Sequence, residues 1–195
     1  ARDIQLCEYT NARIHFSTIT TSESVKLIRE AKSKGLNVTA DTSSYHLILD
    51  DTELESFNSN LKVNPPLRSI KDIKALKIAL KDGTIDAICS DHYPQNIENK
   101  KCEFDLASFG MINLETSFAA ANTALKDILS KEELISKFTS KPKAILGLKN
   151  EAIEEGSLAD LTLFNPELKW KYEQKNIVSK SKNSGLIGKK LTGKA

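Results

Sequence analysis

Asp82-Gly83-Thr84-Ile85-Asp86-Ala87-Ile88-Cys89-Ser90-Asp91-His92-Tyr93-Pro94-Gln95 is the stretch on which the fold turns. Its centre, residues 85–89, is the most apolar strand signal in the chain, and it stops at a polar string. Upstream, Ser69 is placed to cap a helix running to about Asp82, because its hydroxyl accepts from free backbone N–H groups. Ile73, Leu76 and Leu80 give that helix an apolar stripe, widened by Ile78, and Gly83 closes it. Helix, turn, apolar strand and polar strand end together form the repeating unit of a parallel α/β sheet.

The same alternation runs toward the N-terminus. Ile4, Leu6 and Cys7 form a short helical stripe that ends at Thr10-Asn11, and residues 13–16 read as a strand. A hydroxyl-rich turn over 17–22 offers Thr21 or Ser22 as the cap of a helix carrying Val25, Leu27, Ile28 and Ala31. Gly35 stops it, and residues 36–40 form the next strand. Residues 51–60 are loop-like, and 61–63 read as a brief strand broken by Pro65-Pro66. Helices are expected over 111–128, 131–139 and near 142–146. Beyond Gly147 the pattern changes. Residues 156–164 read as turn then strand, and 166–195 as a basic, weakly periodic, solvated surface.

The chain has 195 residues, a net charge of +2, 28% charged and 39% apolar residues, which fits one domain or one domain with an appendage. That composition excludes collagen-like, coiled-coil and disordered classes. The charge is too balanced to point to nucleic acid. No apolar run approaches the ~20 residues that span a bilayer. The first residues lack the apolar core of a signal peptide, so a reducing cytoplasm is the expected compartment. Three cysteines, Cys7, Cys89 and Cys102, with no CxxC, make no disulfide framework. Met111 is the only methionine and the chain opens on Ala1, so the expectation is that processing or truncation removed the start, or that the N-terminal portion is a separate piece.

Function in α/β folds collects where strands end. Three ends are informative: His15-Phe16-Ser17-Thr18, Asp41-Thr42-Ser43-Ser44-Tyr45-His46 and Ser90-Asp91-His92-Tyr93-Pro94-Gln95. An Asp at such an end can bind a metal or act as a general base, and it can equally cap a turn. His15, His46 and His92 are the only histidines, and spacing alone does not show whether they converge or simply pack. Cys89 reads as a buried small hydrophobe. No Walker loop, dinucleotide-binding glycine pattern or nucleophile elbow is present.

These strings carry a resemblance. His15-Phe16-Ser17-Thr18, Val38-Thr39-Ala40, Lys62-Val63-Asn64-Pro65-Pro66-Leu67-Arg68 and Ser90-Asp91-His92 resemble dihydroorotase, of the cyclic amidohydrolase superfamily. So do Asp82-Gly83-Thr84-Ile85-Asp86-Ala87-Ile88, Phe109-Gly110, Leu114-Glu115-Thr116 and Glu155-Gly156-Ser157-Leu158-Ala159-Asp160. The match is collinear over nearly the whole chain, and Asn-Pro-Pro-Leu-Arg and Asp-His are its most specific strings.

The resemblance implies the C-terminal part of a (β/α)8 barrel, strands six to eight, over residues 1–149. It also implies a partial β-sandwich with a basic tail over 150–195. In this family a zinc-bound hydroxide opens a cyclic amide, and an Asp at the end of strand eight moves the proton. His15 matches a metal ligand, Asp91 the metal-binding base and Asn64 a substrate contact. Gln95 stands where the family usually has a substrate-binding His, Tyr93 where it has Ala, and Ser44-Tyr45-His46 where it has Pro-His-His. Most of the family's metal ligands would precede Ala1, so this chain alone is expected to hold no zinc and hydrolyse nothing.

Two main readings follow. One is a working dihydroorotase or related cyclic amidohydrolase of pyrimidine biosynthesis, with its remaining ligands on the missing N-terminal half. The other is a catalytically impaired dihydroorotase-like assembly subunit. A free-standing binding domain fits less well, because both ends would fall mid-fold. The partners to expect are the missing half of the barrel, further copies of the protein in a homo-oligomer, and aspartate transcarbamoylase, with no nucleic acid and no membrane.

Overall fold

Three strands form where the alternation places them. In the computed structural model, which describes residues 1–150 and 153–195, β1 (Ile14–Phe16), β2 (Val38–Ser43) and β3 (Ala87–Cys89) form one sheet in that order. Both pairings are parallel, with Ile14 opposite Val38 and Asp41 opposite Ala87. Parallel neighbours need a crossover, and each is a helix. α2 (Ser22–Ser33) joins β1 to β2, and α3 (Ile70–Asp82) joins β2 to β3. α1 (Arg2–Thr10) precedes the sheet, and α4 (Ser117–Leu125), α5 (Lys131–Phe138) and α6 (Ser140–Ile145) follow it.

The local signals act as their chemistry predicts. Thr21 caps α2 by accepting from the Ser24 N–H at 3.2 Å, and Ser69 caps α3. Gly83 ends α3 at φ 81°, a left-handed conformation that side chains resist. Between α2, α3 and the sheet lie Val25, Leu76, Ala79, Leu80, Ile85 and Ile88, joined by Leu125 and Leu134 from the later helices. β2 is covered on both faces, as the central strand of a parallel sheet must be.

A second core lies under the strand ends. It gathers Tyr45, Leu49, Leu61, Val63, Leu67, Met111 and Ile112 with Tyr172, Leu186 and Leu191 of the C-terminal region. That region is an antiparallel pair, β4 (Asn165–Lys171) with β5 (Lys190–Lys194), in which Trp170 faces Leu191. The solvated reading of 166–195 holds for its lysines, exposed apart from the half-buried Lys189, and is corrected for Tyr172, Leu186 and Leu191, which are buried.

Four other expectations change. Residues 61–63 are no strand, because Leu61 closes a 3₁₀ turn and the Lys62 carbonyl accepts from the Gly110 N–H at 2.9 Å. The helix expected from 111 starts only at Ser117, since Met111 bridges His92 and the Ile112 N–H donates to the Asn183 carbonyl. Ile78 faces solvent, and Ala79 completes the stripe of α3. The strand expected within 156–164 is absent; Leu161 and Leu163 are exposed and β4 begins at Asn165. No helix among the described residues is long and apolar enough to cross a membrane.

Candidate active site

The strand ends gather polar groups at one rim of the sheet. Asp91 lies just past β3 with φ 45°, and Thr18, just past β1, has φ 55°. Such values are unusual for residues with a Cβ and recur at sites where the surrounding structure enforces them. Asp91 and Asn64 line one cleft with Tyr45, Tyr93, Phe109 and Gly110. Asp91 and Asn64, drawn from sequence strings 27 residues apart, thus face the same space.

Tyr45 is the residue that sequence reasoning did not single out for a role. Its hydroxyl donates to Asp91 Oδ2, and its ring is 1% exposed. Burial, and then the neighbouring carboxylate, push its ionisation well above the ordinary phenol range, so it stays a donor. The only sequence signal for it was an aromatic residue at the end of a strand whose preceding residues are polar. Gly110 is the second such residue. It has φ 115°, and a Cβ there would run into the ring and carbonyl of Tyr93.

His15 sits apart from the cleft lining. Its Nε2 lies 3.0 Å from Asp41 Oδ2 and its Nδ1 2.9 Å from Thr39 Oγ1. A carboxylate only accepts, so Nε2 carries the proton and Nδ1 accepts from the Thr39 hydroxyl. Asp41 is buried and also accepts from the Thr18 N–H at 2.6 Å and from Ser17 Oγ. Gln95 braces the rim: its Nε2 donates to the Phe109 carbonyl at 2.9 Å and its N–H to Asn183 Oδ1 at 3.2 Å. The structure therefore brings Asp91 and Asn64 together, and places His15 and Gln95 outside that lining.

The other two histidines are structural. His46 is buried, donates from Nε2 to the Pro65 carbonyl at 3.0 Å and accepts at Nδ1 from Ser43 Oγ at 2.7 Å. Burial pulls its pKa down to about 4. His92 accepts at Nδ1 from the N–H groups of Asn113 and Leu114, both at 3.1 Å, behind the strand end. Burial, reinforced by Asp41, pushes the Cys89 thiol far above its usual range, so it is no nucleophile.

No group of three His, Cys, Asp or Glu side chains converges on a metal position among the described residues. Zinc takes about four ligands. Both nitrogens of His15 are hydrogen-bonded within the sheet and one oxygen of Asp91 is held by Tyr45. Among the described residues, these donors do not by themselves fit a zinc ion.

Residues 1–188 match the model of the Amidohydrolase family. The chain is a dihydroorotase-like member of that family. It is similar to the dihydroorotase of Ruminiclostridium cellulolyticum, 46% identical over 99% of this chain and 46% of that one. Among solved structures it is similar to the L-hydantoinase (dihydropyrimidinase) from Arthrobacter aurescens, with 27% identity and a TM-score of 0.91 over 99% of this chain and 44% of that one. The inactive dihydroorotase-like domain of the Chaetomium thermophilum CAD-like multifunctional protein shares the fold, at 23% identity and a TM-score of 0.70 over 98% of this chain and 50% of that one. This amidohydrolase chain spans about half the length of the curated relatives it matches.

Proposed function

We propose that this chain carries the C-terminal part of a cyclic amidohydrolase active site, which opens dihydroorotate or a related cyclic amide in pyrimidine biosynthesis. The observation that carries the reading is Asp91, held past the end of β3 with one oxygen on Tyr45 and its side chain lining the cleft beside Asn64. Asp91 takes a proton from water as the water oxygen attacks the ring carbonyl carbon. As the C–N bond breaks, Asp91 returns that proton to the departing nitrogen. Asn64 supplies an amide that can donate to and accept from the ring. Gln95 acts on the substrate through the Phe109 wall it braces.

In this reading β1, β2 and β3 correspond to barrel strands six, seven and eight. The β4–β5 pair belongs to a small sandwich that begins near residue 150, and the boundary lies beside residues 151–152, outside the described set. The rest of the barrel completes the site from outside the chain. A zinc of the whole protein would count His15 and Asp91 as this chain's share, with the protein in the cytoplasm as a homo-oligomer. The test is turnover of dihydroorotate by the full-length protein with zinc, followed by Asp91→Asn. Loss of about 100-fold or more is expected for removing a general base.

A second reading is favoured by the hydrogen bonds that occupy both nitrogens of His15. It is a catalytically impaired subunit that assembles with a partner such as aspartate transcarbamoylase. Metal-free full-length protein without turnover, co-purifying with that partner, would select it.

A further inference from the structure

We infer that Tyr45 is a positioning residue for Asp91: its phenol restrains the carboxylate through one oxygen and so sets how the other is presented to the cleft. The inference rests on the reading of Asp91 as the base and deepens it. Asp91 has one hydrogen-bond donor among the described residues, the Tyr45 hydroxyl. Its backbone, at φ 45°, does not by itself fix the carboxylate rotation. Anchoring one oxygen narrows the orientations the carboxylate can take, and the anchor here is itself rigid.

That rigidity comes from packing and from a second histidine. The Tyr45 ring belongs to the core that holds Leu49, Met111 and Ile112, and it lies against the His46 ring with centroids 4.5 Å apart. His46 is in turn held by Ser43 Oγ on one side and the Pro65 carbonyl on the other. Pro65 follows Asn64 directly, so one buried unit, Ser43–Tyr45–His46, sets both polar groups of the cleft. The phenol side of this unit holds the proton acceptor, and the imidazole side holds the loop carrying the amide. Phenylalanine at 45 would keep the packing and remove only the donor.

The experiment uses the full-length protein and Tyr45→Phe. The thermal midpoint is expected to fall by a few degrees at most, because the ring and its packing are retained and only one hydrogen bond is lost. Turnover of dihydroorotate is expected to fall about 10- to 100-fold in kcat with KM unchanged, the signature of a misplaced reacting group rather than a lost substrate contact. A crystal structure of the variant is expected to show the Asp91 carboxylate rotated from its wild-type orientation or split over two. An unmoved carboxylate with unchanged kcat overturns the inference, and so does a raised KM with kcat intact, which would make Tyr45 a substrate contact. The reading of Asp91 as the base fails separately, if Asp91→Asn keeps its turnover or the wild type has none. The carboxylate orientation in Tyr45→Phe then still decides whether Tyr45 positions it.

Discussion

His46 should stay neutral to an acidity at which ordinary histidines are charged, with its proton on Nε2. The perturbation is a fall in pH, and the comparison is His46→Gln. The tautomer follows from the Pro65 carbonyl, which can only accept and lies 3.0 Å from Nε2, leaving Nδ1 to accept from Ser43. Burial lowers the pKa from the ordinary 6.5 to about 4. Because the folded value is the lower one, the unfolded chain binds the proton first as the pH falls. The contribution of the neutral ring is complete above 6.5 and is lost as the pH drops toward 4. At about 1.4 kcal/mol per pH unit, this window corresponds to a loss of about 3 kcal/mol. Imidazole ¹⁵N–¹H spectra of the chain, with its three histidines, assign the resonance by its absence in His46→Gln. Urea midpoints between pH 7.5 and 4.5 should fall more steeply in the wild type than in that variant. A His46 resonance titrating near 6.5, or a proton on Nδ1, would refute the reasoning.

Two further outcomes are expected. Lys100 is buried and donates to the carbonyls of Ser59 at 2.8 Å, Lys62 at 3.3 Å and Ser108 at 2.8 Å, tying the loop before Asn64 to the loop before Phe109. Lys100→Met keeps the stem and leaves those acceptors without their donor, so urea unfolding should show a loss of about 3 kcal/mol or more. Gly110→Ala places a Cβ against the Tyr93 ring at a left-handed φ, and should lower stability by about 2 kcal/mol. Thermal unfolding checks it, and Gly35→Ala, with open space around its Cβ at φ 77°, is the control for backbone strain alone.

What the sequence showed and what it hid divide along the distance between partners. The caps at Thr21 and Ser69 and the stop at Gly83 act on the next turn of chain, so hydroxyls and a glycine in the right places were enough. Residues 61–63 carry strand-like alternation, yet Leu61 and Val63 point into a core completed by Tyr172 and Leu186, more than 100 residues further on. The same distance hid the C-terminal core: a lysine-rich tail reads as surface until Trp170 meets Leu191 across a strand pair. A helix is expected from 111, but the backbone there is already committed to Asn183 and His92.

The candidate site divides in the same way. Asp91 was legible as a carboxylate at the end of an apolar strand that could serve a metal, a proton or a turn, and its specific role, like that of Asn64, came from the resemblance of their strings. Spacing alone did not separate the three histidines, and only the resemblance set His15 apart, because their difference lies in partners: Asp41 for His15, Pro65 for His46, the 113–114 backbone for His92. Tyr45 was the least visible of all, since its one polar partner is 46 residues away and everything else about it is core. That invisibility has a physical reason. The residues that react need exposure and charge, which mark a sequence, whereas the residues that hold them need burial and fixed rotamers, which make them look like packing. The end of β2 contributes only one side chain to the cleft lining, and yet its Ser43–Tyr45–His46 unit sets the orientation of both polar groups there. Changes at Ser43 and His46, which lie outside that lining, should therefore alter turnover without altering the set of groups that line the cleft.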